Sequence, residues 1–254
     1  MMPKKIAFWI VSGEKFVDEA RISSAELRSV MPDLEQALFT PDEVEKGDFN
    51  KMARLSSRVG AYWYLDRVNY FNLAFDLLED YEECIYFDTD TNFIHPFYEI
   101  FDTLERFDIA IPMGARRVTG ATFEKLPDCF AEYELGVIVF RRNDRVKRLL
   151  ETWRDLHWVH HGIYGNNSQR SFREAVWNCP ELKIDRLPSE YGLRWPFGEF
   201  MSLPVKIIHG RYSPHPLSPT IKDVKRIVNM HDGMRIWSPR DPNWKDGTIP
   251  RAHD

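Results

Sequence analysis

The feature that most constrains the fold is a hydrophobic run, Ile85–Phe87, followed by two aspartates that are separated by one residue, Asp88 and Asp90. A short apolar run of β-branched and aromatic residues predicts a buried strand, so both carboxylates lie where this strand leaves its sheet. Two carboxylates at this spacing call for a cation. Oxygen ligands favour a hard divalent ion such as Mg²⁺ or Mn²⁺, which often shares its coordination shell with substrate phosphates. The motif therefore predicts metal-assisted phosphate chemistry.

Composition predicts one globular domain, in which any basic binding site is local. The chain has 254 residues, of which 43% are hydrophobic, and this excludes a disordered protein. Its net charge of -5 gives no overall attraction to nucleic acid or to an anionic membrane surface. The three cysteines are far apart, and no apolar run is long enough for a signal peptide or a transmembrane segment. We therefore expect a soluble, cytoplasmic protein.

Strand-like and helix-like segments alternate along the chain, which predicts an α/β fold with an open, mostly parallel sheet flanked by helices. The strands are expected at 6–11, 38–39, 85–87, 107–112, 135–140, 182–187 and 205–208, and the helices at 16–30, 55–78, 96–104, 143–161 and from 168. Beyond Arg211 the chain is rich in Pro, Asp and Arg and has little periodicity. An irregular C-terminal tail is therefore expected.

Several polar residues follow predicted strands. In open α/β sheets ligands bind beyond the carboxyl ends of the strands. Ser12 follows the first predicted strand, Asp88 and Asp90 follow a central one, and His209 follows a late one. We expect these four side chains to meet at one edge of the sheet.

The order of these motifs resembles that of the GT-A glycosyltransferases, most of all glycogenin and the bacterial lipopolysaccharide galactosyltransferases. The likeness covers roughly Ile6 to Arg211 and implies a single GT-A domain, 1–254. Within it, about 6–110 would bind the nucleotide sugar, about 111–211 would face the acceptor, and 212–254 would form the irregular C-terminal segment. The motifs that carry the likeness are the apolar strand with Asp-x-Asp, the strand Leu135–Phe140, Gln169 at the start of a helix, and Val205–Gly210 with His209.

The resemblance also implies roles on the donor side. Asp88, Asp90 and His209 match the positions that hold Mn²⁺, or Mg²⁺, against the diphosphate of the donor. Basic residues would add charge-assisted hydrogen bonds to the phosphates, with Arg67 the first candidate and Lys206 or Arg211 the next. The remaining donor-site residues would be Ile10, Val11, Ser12 and Gly13, which cradle the base and ribose, together with Thr89 between the two aspartates.

On the acceptor side, the resemblance points to Gln169 and Glu134 as catalytic candidates. Relatives commonly carry Asp-Gln where this chain has Ser168-Gln169, so the aspartate is missing. Glu134 stands before the strand at the place where relatives have Asn-Ser-Gly or Asn-Thr-Gly. It would act as a general base in an inverting reaction, or stabilise positive charge at the anomeric carbon in a retaining one. Trp195 and Phe197 are candidates for a carbohydrate platform.

The expected function is transfer of a sugar from a nucleotide sugar, with a UDP-sugar the first expectation, to a glycan or other glycoconjugate acceptor. The likeness slightly favours retention of configuration. Two alternatives stay open: a nucleotide-sugar-binding protein without catalysis, because the aspartate before Gln169 is missing, and a phosphatase of the haloacid dehalogenase type. The phosphatase hallmark is Asp-x-Asp-x-Thr or Asp-x-Asp-x-Val at the end of a strand, whereas this chain has Asn92 at the final position. The sequence leaves the oligomeric state open and predicts no nucleic-acid partner.

Overall fold

The computed structural model describes residues 3–55, 63–114, 125–165, 167–211, 220–230 and 232–238. The strands are β1 (Lys5–Ile10), β2 (Glu35–Thr40), β3 (Lys51–Arg54), β4 (Glu83–Phe87), β5 (Thr91–Phe93), β6 (Ile109–Pro112), β7 (Val137–Arg141), β8 (Ile184–Leu187), β9 (Tyr191–Arg194), β10 (Glu199–Met201), β11 (Ile207–His209) and β12 (Arg235–Trp237). The helices are α1 (Glu14–Val30), α2 (Trp63–Leu77), α3 (Asp144–Tyr164), α4 (Ser168–Trp177) and α5 (Ile221–Ile227), with a 3-10 helix at Tyr98–Glu105.

A seven-stranded sheet in the order β3-β2-β1-β4-β7-β6-β8 forms the centre of the molecule. Strands β3, β2, β1 and β4 are parallel, and β8 is parallel to β6. Strand β7 runs antiparallel to both of its neighbours, β4 and β6. The predicted α/β fold with an open, mostly parallel sheet is confirmed.

Helices cover both faces of this sheet, as a largely parallel sheet requires. Because side chains alternate along a strand, Phe8 of β1 packs on one face with residues of α2, α3 and α4, while Trp9 packs on the other face with α1 and the 3-10 helix. Both aromatic side chains are fully buried. The core therefore consists of two apolar layers, one on each side of the sheet.

A second, small sheet in the order β5-β11-β9 determines where the polar residues meet. Strand β4 leaves the large sheet at Asp88, and the chain then enters β5 at Thr91. Thr91 is the antiparallel partner of His209 in β11, and Arg194 at the end of β9 is the parallel partner of His209 on the other side. The Asp88–Asp90 turn is thus held beside the end of β11.

The C-terminal segment, expected to be irregular, contains α5 and β12 among its described residues. Thr220 and Asp223 form a capping box at the start of α5, with the Thr220 side chain accepting from the Asp223 backbone and the Asp223 side chain accepting from the Thr220 backbone. Val224 and Trp237 pack in an apolar cluster with Trp195. Elements of seven and three residues are too short to give a periodic signal in the sequence. None of the described helices is both long and apolar enough to cross a membrane.

Candidate metal and donor site

The structure brings Asp88, Asp90 and His209 together, with one potential ligand atom from each lying within 4.8 Å of the others. His209 Nε2 is 3.3 Å from Asp88 Oδ2 and 3.4 Å from Asp90 Oδ1. Two carboxylates and one imidazole form a donor set that suits Mn²⁺ or Mg²⁺, with open positions left for other ligands. This group therefore fits the predicted metal.

Backbone hydrogen bonds fix the geometry of the acidic turn. The Asp88 amide donates to the Gly136 carbonyl oxygen at 2.9 Å, and the Gly210 amide donates to the Asp90 carbonyl oxygen at 3.1 Å. Gly136 also packs directly against the His209 ring, since a Cβ at that position would lie 2.0 Å from His209 Cε1. The chain segments that precede β7 and follow β11 thus hold the turn and the imidazole in one arrangement.

Asp88 is paired with a cation and a phenol. Arg67 donates to Asp88 Oδ1 at 2.5 Å and to the Tyr86 hydroxyl at 3.0 Å, and that hydroxyl donates to Asp88 Oδ1 at 2.6 Å. Burial alone would raise the pKa of Asp88, but the charge of Arg67 and the hydrogen bond from His209 outweigh it, so the pKa lies well below its usual value. Asp88 is therefore ionised at neutral pH, with Oδ2 directed at His209.

His209 is 3% exposed and has a perturbed pKa. Burial lowers the pKa of His209, but the negative charge of Asp90 and the hydrogen bonds to both aspartates raise it overall to about 9. The imidazole therefore carries a proton at neutral pH in the metal-free protein. A metal ion that binds Nε2 must displace that proton.

Arg194 is a member of this cluster that the sequence did not indicate. Its Nη1 is 2.9 Å from His209 Nε2 and 4.0 Å from Asp90 Oδ2, and its Nε is 3.8 Å from Glu134 Oε2. The residue ends a strand of four residues, and neither its spacing nor its neighbours in the sequence mark it. Its pairing with His209 in the small sheet is what places it here.

A cavity of about 280 Å³ lies on one side of the three potential ligands. Its apolar wall includes Ile10, Val11 and Phe16, as expected for the first two from their position at the end of β1. Ser12 and Gly13 lie outside this wall, because the chain turns into α1 there and the Gly13 amide donates to Asp42 Oδ2 at 2.6 Å.

The polar wall of this cavity contains the other donor-side candidates, which are Arg67, Asp88, Thr89, Asp90 and Arg211. Arg211 donates to the Thr89 hydroxyl at 3.0 Å and to Glu19 Oε2 at 2.8 Å, and Thr89 donates to the same Glu19 oxygen at 2.8 Å. Lys206, the other basic candidate, instead contacts Glu99 and lies outside this wall. Two cations, Arg67 and Arg211, thus flank the acidic turn.

A second cavity, of about 580 Å³, shares part of this lining and contains Glu134 and Gln169. Glu134 is 3% exposed, and the Gln169 side-chain amide donates to the Tyr133 carbonyl oxygen at 2.9 Å. Asn167 uses its side-chain oxygen to accept from the Gln169 backbone amide at 3.0 Å, which caps α4. The two cavities share Arg67, Asp88, Arg194 and His209, so these residues stand between them.

The structure contradicts one acceptor-side expectation. Trp195 is 1% exposed, and its indole nitrogen donates to the Gly210 carbonyl oxygen at 2.7 Å. It is a core residue and cannot serve as a carbohydrate platform. Phe197 is half-buried and lies beside the Arg194 guanidinium, 5.9 Å from its ring centroid.

No protein-family model matches this sequence, and no curated protein matches it. Among the solved structures that match is the crystal structure of the galactosyltransferase LgtC in complex with donor and acceptor sugar analogs. Its TM-score with this chain is 0.59 at 10% sequence identity, and the match covers 85% of this chain and 90% of that one. The likeness confirms the predicted GT-A fold.

Proposed function

We propose that this protein is a metal-dependent glycosyltransferase that moves a sugar from a nucleotide sugar to a carbohydrate or glycoconjugate acceptor. The observation that carries the proposal is the cluster of Asp88, Asp90 and His209 in a GT-A fold, with Asp88 and His209 lining both of two adjoining cavities. The smaller cavity would hold the donor, and the larger one would hold the sugar being moved and its acceptor. The structure of LgtC with donor and acceptor sugar analogs supports this assignment of the two cavities.

Asp88, Asp90 and His209 would hold the metal, which is Mn²⁺ or Mg²⁺ by the chemistry of the donor set. A bound ion of this kind supplies Lewis acidity that stabilises the negative charge of a departing diphosphate. Arg67 keeps Asp88 ionised and orients it, since three hydrogen bonds join Arg67, Tyr86 and Asp88. Arg211 lies where it can donate to a phosphate oxygen from the other side of the turn.

The nucleoside would lie in the smaller cavity. Ile10, Val11 and Phe16 give an apolar wall for a base, and Arg211 lies over the Phe16 ring at 5.0 Å. A UDP-sugar is the first donor to test. Glu134 and Gln169 would face the transferred sugar, with Glu134 stabilising positive charge at the anomeric carbon in a retaining reaction.

The test is release of nucleoside diphosphate from a panel of nucleotide sugars, with and without acceptor sugars. We expect release with Mn²⁺ and none after chelation with EDTA. The Asp90→Asn variant should lose the activity, whereas Asp76→Asn should retain it because Asp76 is an exposed residue on α2. Equal release with and without a divalent ion contradicts the proposal.

A protein that binds nucleotide sugars without transferring them is the second candidate. The start of α4 favours it, because Ser168 stands where relatives carry the aspartate and the neighbouring Asn167 side chain is engaged as the helix cap. Complete absence of both hydrolysis and transfer across the donor panel, with metal-dependent binding intact, would support this candidate. The haloacid dehalogenase alternative is not retained, because the chain has the GT-A fold.

A further inference from the structure

Arg194 occupies the boundary between the two cavities. Both cavities include it in their walls, and its side chain is 19% exposed. Its guanidinium lies against the imidazole of His209 and near the carboxylates of Asp90 and Glu134. The bond between sugar and phosphate would cross this same boundary if the donor spans the two cavities.

The local structure directs Arg194 into this position. Its backbone amide donates to Glu199 Oε1 at 3.1 Å, and its carbonyl oxygen accepts from the Phe197 amide at 2.8 Å in the turn that follows β9. Gly210 leaves room for the guanidinium. A Cβ at Gly210 would lie 2.8 Å from Pro196 Cδ and 3.4 Å from Arg194 Nη1, and the φ of +130° at Gly210 also disfavours any side chain.

The position of the Arg194 guanidinium beside His209 in the metal-free protein is incompatible with metal binding. Arg194 Nη1 contacts His209 Nε2, which is the atom placed to bind the ion. A cation bound to that nitrogen would repel the guanidinium. The negatively charged diphosphate oxygens of a bound donor would then offer the guanidinium new acceptors.

The buried Nε of Arg194 is a further potential hydrogen-bond donor, because it makes no hydrogen bond with any residue in the described parts of the chain. The buried Nε of Arg67 likewise makes no hydrogen bond among the described residues, but its Nη2 is held by Asp88 at 2.5 Å and by Tyr86 at 3.0 Å. Of the two arginines shared by both cavities, Arg194 therefore has the weaker ties to the protein. It is the one able to change partners during a reaction.

On the basis of the proposed glycosyl transfer, we infer that Arg194 is a catalytic residue that donates hydrogen bonds to the departing diphosphate. The bond between the anomeric carbon and the β-phosphate oxygen breaks, and its electron pair stays on that oxygen. The acceptor oxygen forms the new bond to the anomeric carbon, and the proton of the acceptor hydroxyl passes to solvent water. Arg194 transfers no proton; its hydrogen bonds strengthen as charge grows on the phosphate oxygen.

Arg194→Met is the direct test, with Arg194→Lys as the conservative variant. Arg148→Met is the matched control, because the Arg148 side chain is 66% exposed on α3. Three quantities are measured with Mn²⁺ present: kcat for transfer, the Kd of UDP, and the Kd of a UDP-sugar without acceptor. A titration with Mn²⁺ alone checks that the metal site is intact.

We expect Arg194→Met to lower kcat about 100-fold, the effect of losing one preorganised donor to a developing oxyanion. The Kd of UDP should rise about tenfold and that of the UDP-sugar by less than about threefold, because the terminal phosphate of UDP carries the extra charge. Arg194→Lys should recover part of the rate. Added guanidinium ion should partly restore kcat in Arg194→Ala, which a merely structural role would not allow.

Two results would overturn the inference. One is a kcat for Arg194→Met within twofold of the wild type. The other is a loss of Mn²⁺ binding equal to the loss of kcat without rescue by guanidinium, which would make Arg194 a structural residue of the metal site. A wild-type protein without metal-dependent UDP binding instead refutes the proposed function itself, so the two failures are distinguishable.

Discussion

Gly136→Ala tests the packing that holds His209 in place. The new Cβ would lie 2.0 Å from Cε1, 2.2 Å from Nδ1 and 2.3 Å from Nε2 of His209. Carbon atoms in contact need roughly 3.5 Å, so the ring or the backbone must move by more than about 1 Å. Metal–ligand distances tolerate only about 0.2 Å. The methyl group therefore cannot be accommodated without disturbing the metal site.

Two losses should follow from this single methyl group. Overpacking lowers the free energy of unfolding by about 1–3 kcal/mol, which lowers Tm by roughly 2–10 °C in a protein of this size. Displacement of the imidazole should weaken Mn²⁺ binding about 10- to 100-fold, the range seen when the support of a metal ligand is lost. Thermal unfolding without metal measures the first, and a calorimetric titration with Mn²⁺ measures the second.

Gly162→Ala is the matched control, because a Cβ at this position in α3 has nothing within 4 Å. It should retain Mn²⁺ affinity and lose no stability, since Ala is the better helix former. In a His209→Ala background, Gly136→Ala should cost much less stability, because the clash is gone. Wild-type Mn²⁺ affinity together with an unchanged Tm in Gly136→Ala would show that the packing of Gly136 does not hold His209 in place.

Three other predictions concern ionisation. Because the His209 pKa is about 9 without metal and its unfolded value is about 6.5, its contribution to stability is present below about pH 6.5 and lost as pH rises through 9. Mn²⁺ affinity should correspondingly rise up to tenfold per pH unit until about pH 9, because the ion must displace the His209 proton. Calorimetric Mn²⁺ titrations at neutral pH in buffers of different ionisation enthalpy should show the release of one proton. The absence of proton release would contradict this prediction. Burial lowers the pKa of His157 to about 4. The free energy of unfolding, measured with urea, should therefore decrease as the pH falls below about 6.5, and His157→Phe should flatten this dependence. An unchanged pH dependence in His157→Phe would contradict the assignment. Arg67→Met should lower the free energy of unfolding by about 3 kcal/mol, because it removes the cation that contacts Asp88 Oδ1; equality with Arg148→Met in urea denaturation would show that the pair is not formed.

The sequence predicts the elements that carry their own periodic or apolar signal. Strands β1, β4 and β7 read as apolar runs, and α1 and α3 show the helical spacing of buried residues. The antiparallel direction of β7 has no such signal, because its residues are buried as in a parallel strand. Short strands such as β5 and β9 form through pairing with β11, and this pairing is invisible in their own residues.

The residues of the candidate site can likewise be separated into those with a signal in the sequence and those without one. Asp88 and Asp90 follow a strand that the sequence predicts and His209 ends another, but the small second sheet that brings them together was not predicted. Arg194 could not be found, because its strand was not predicted. The Gly13 amide binds Asp42, a contact across a loop that no local pattern signals.

The metal-binding role of Asp88, Asp90 and His209 is tested most directly by thermal unfolding with UDP, with and without Mn²⁺. At about 100 times the Kd, UDP bound through the metal adds about 2.7 kcal/mol, which raises Tm by roughly 5–10 °C. We predict this rise in the wild type only when Mn²⁺ or Mg²⁺ is present, and its loss in Asp90→Asn. Absence of any metal-dependent rise in Tm in the folded wild-type protein, or a full rise in Asp90→Asn, would contradict the metal-binding role of these three residues.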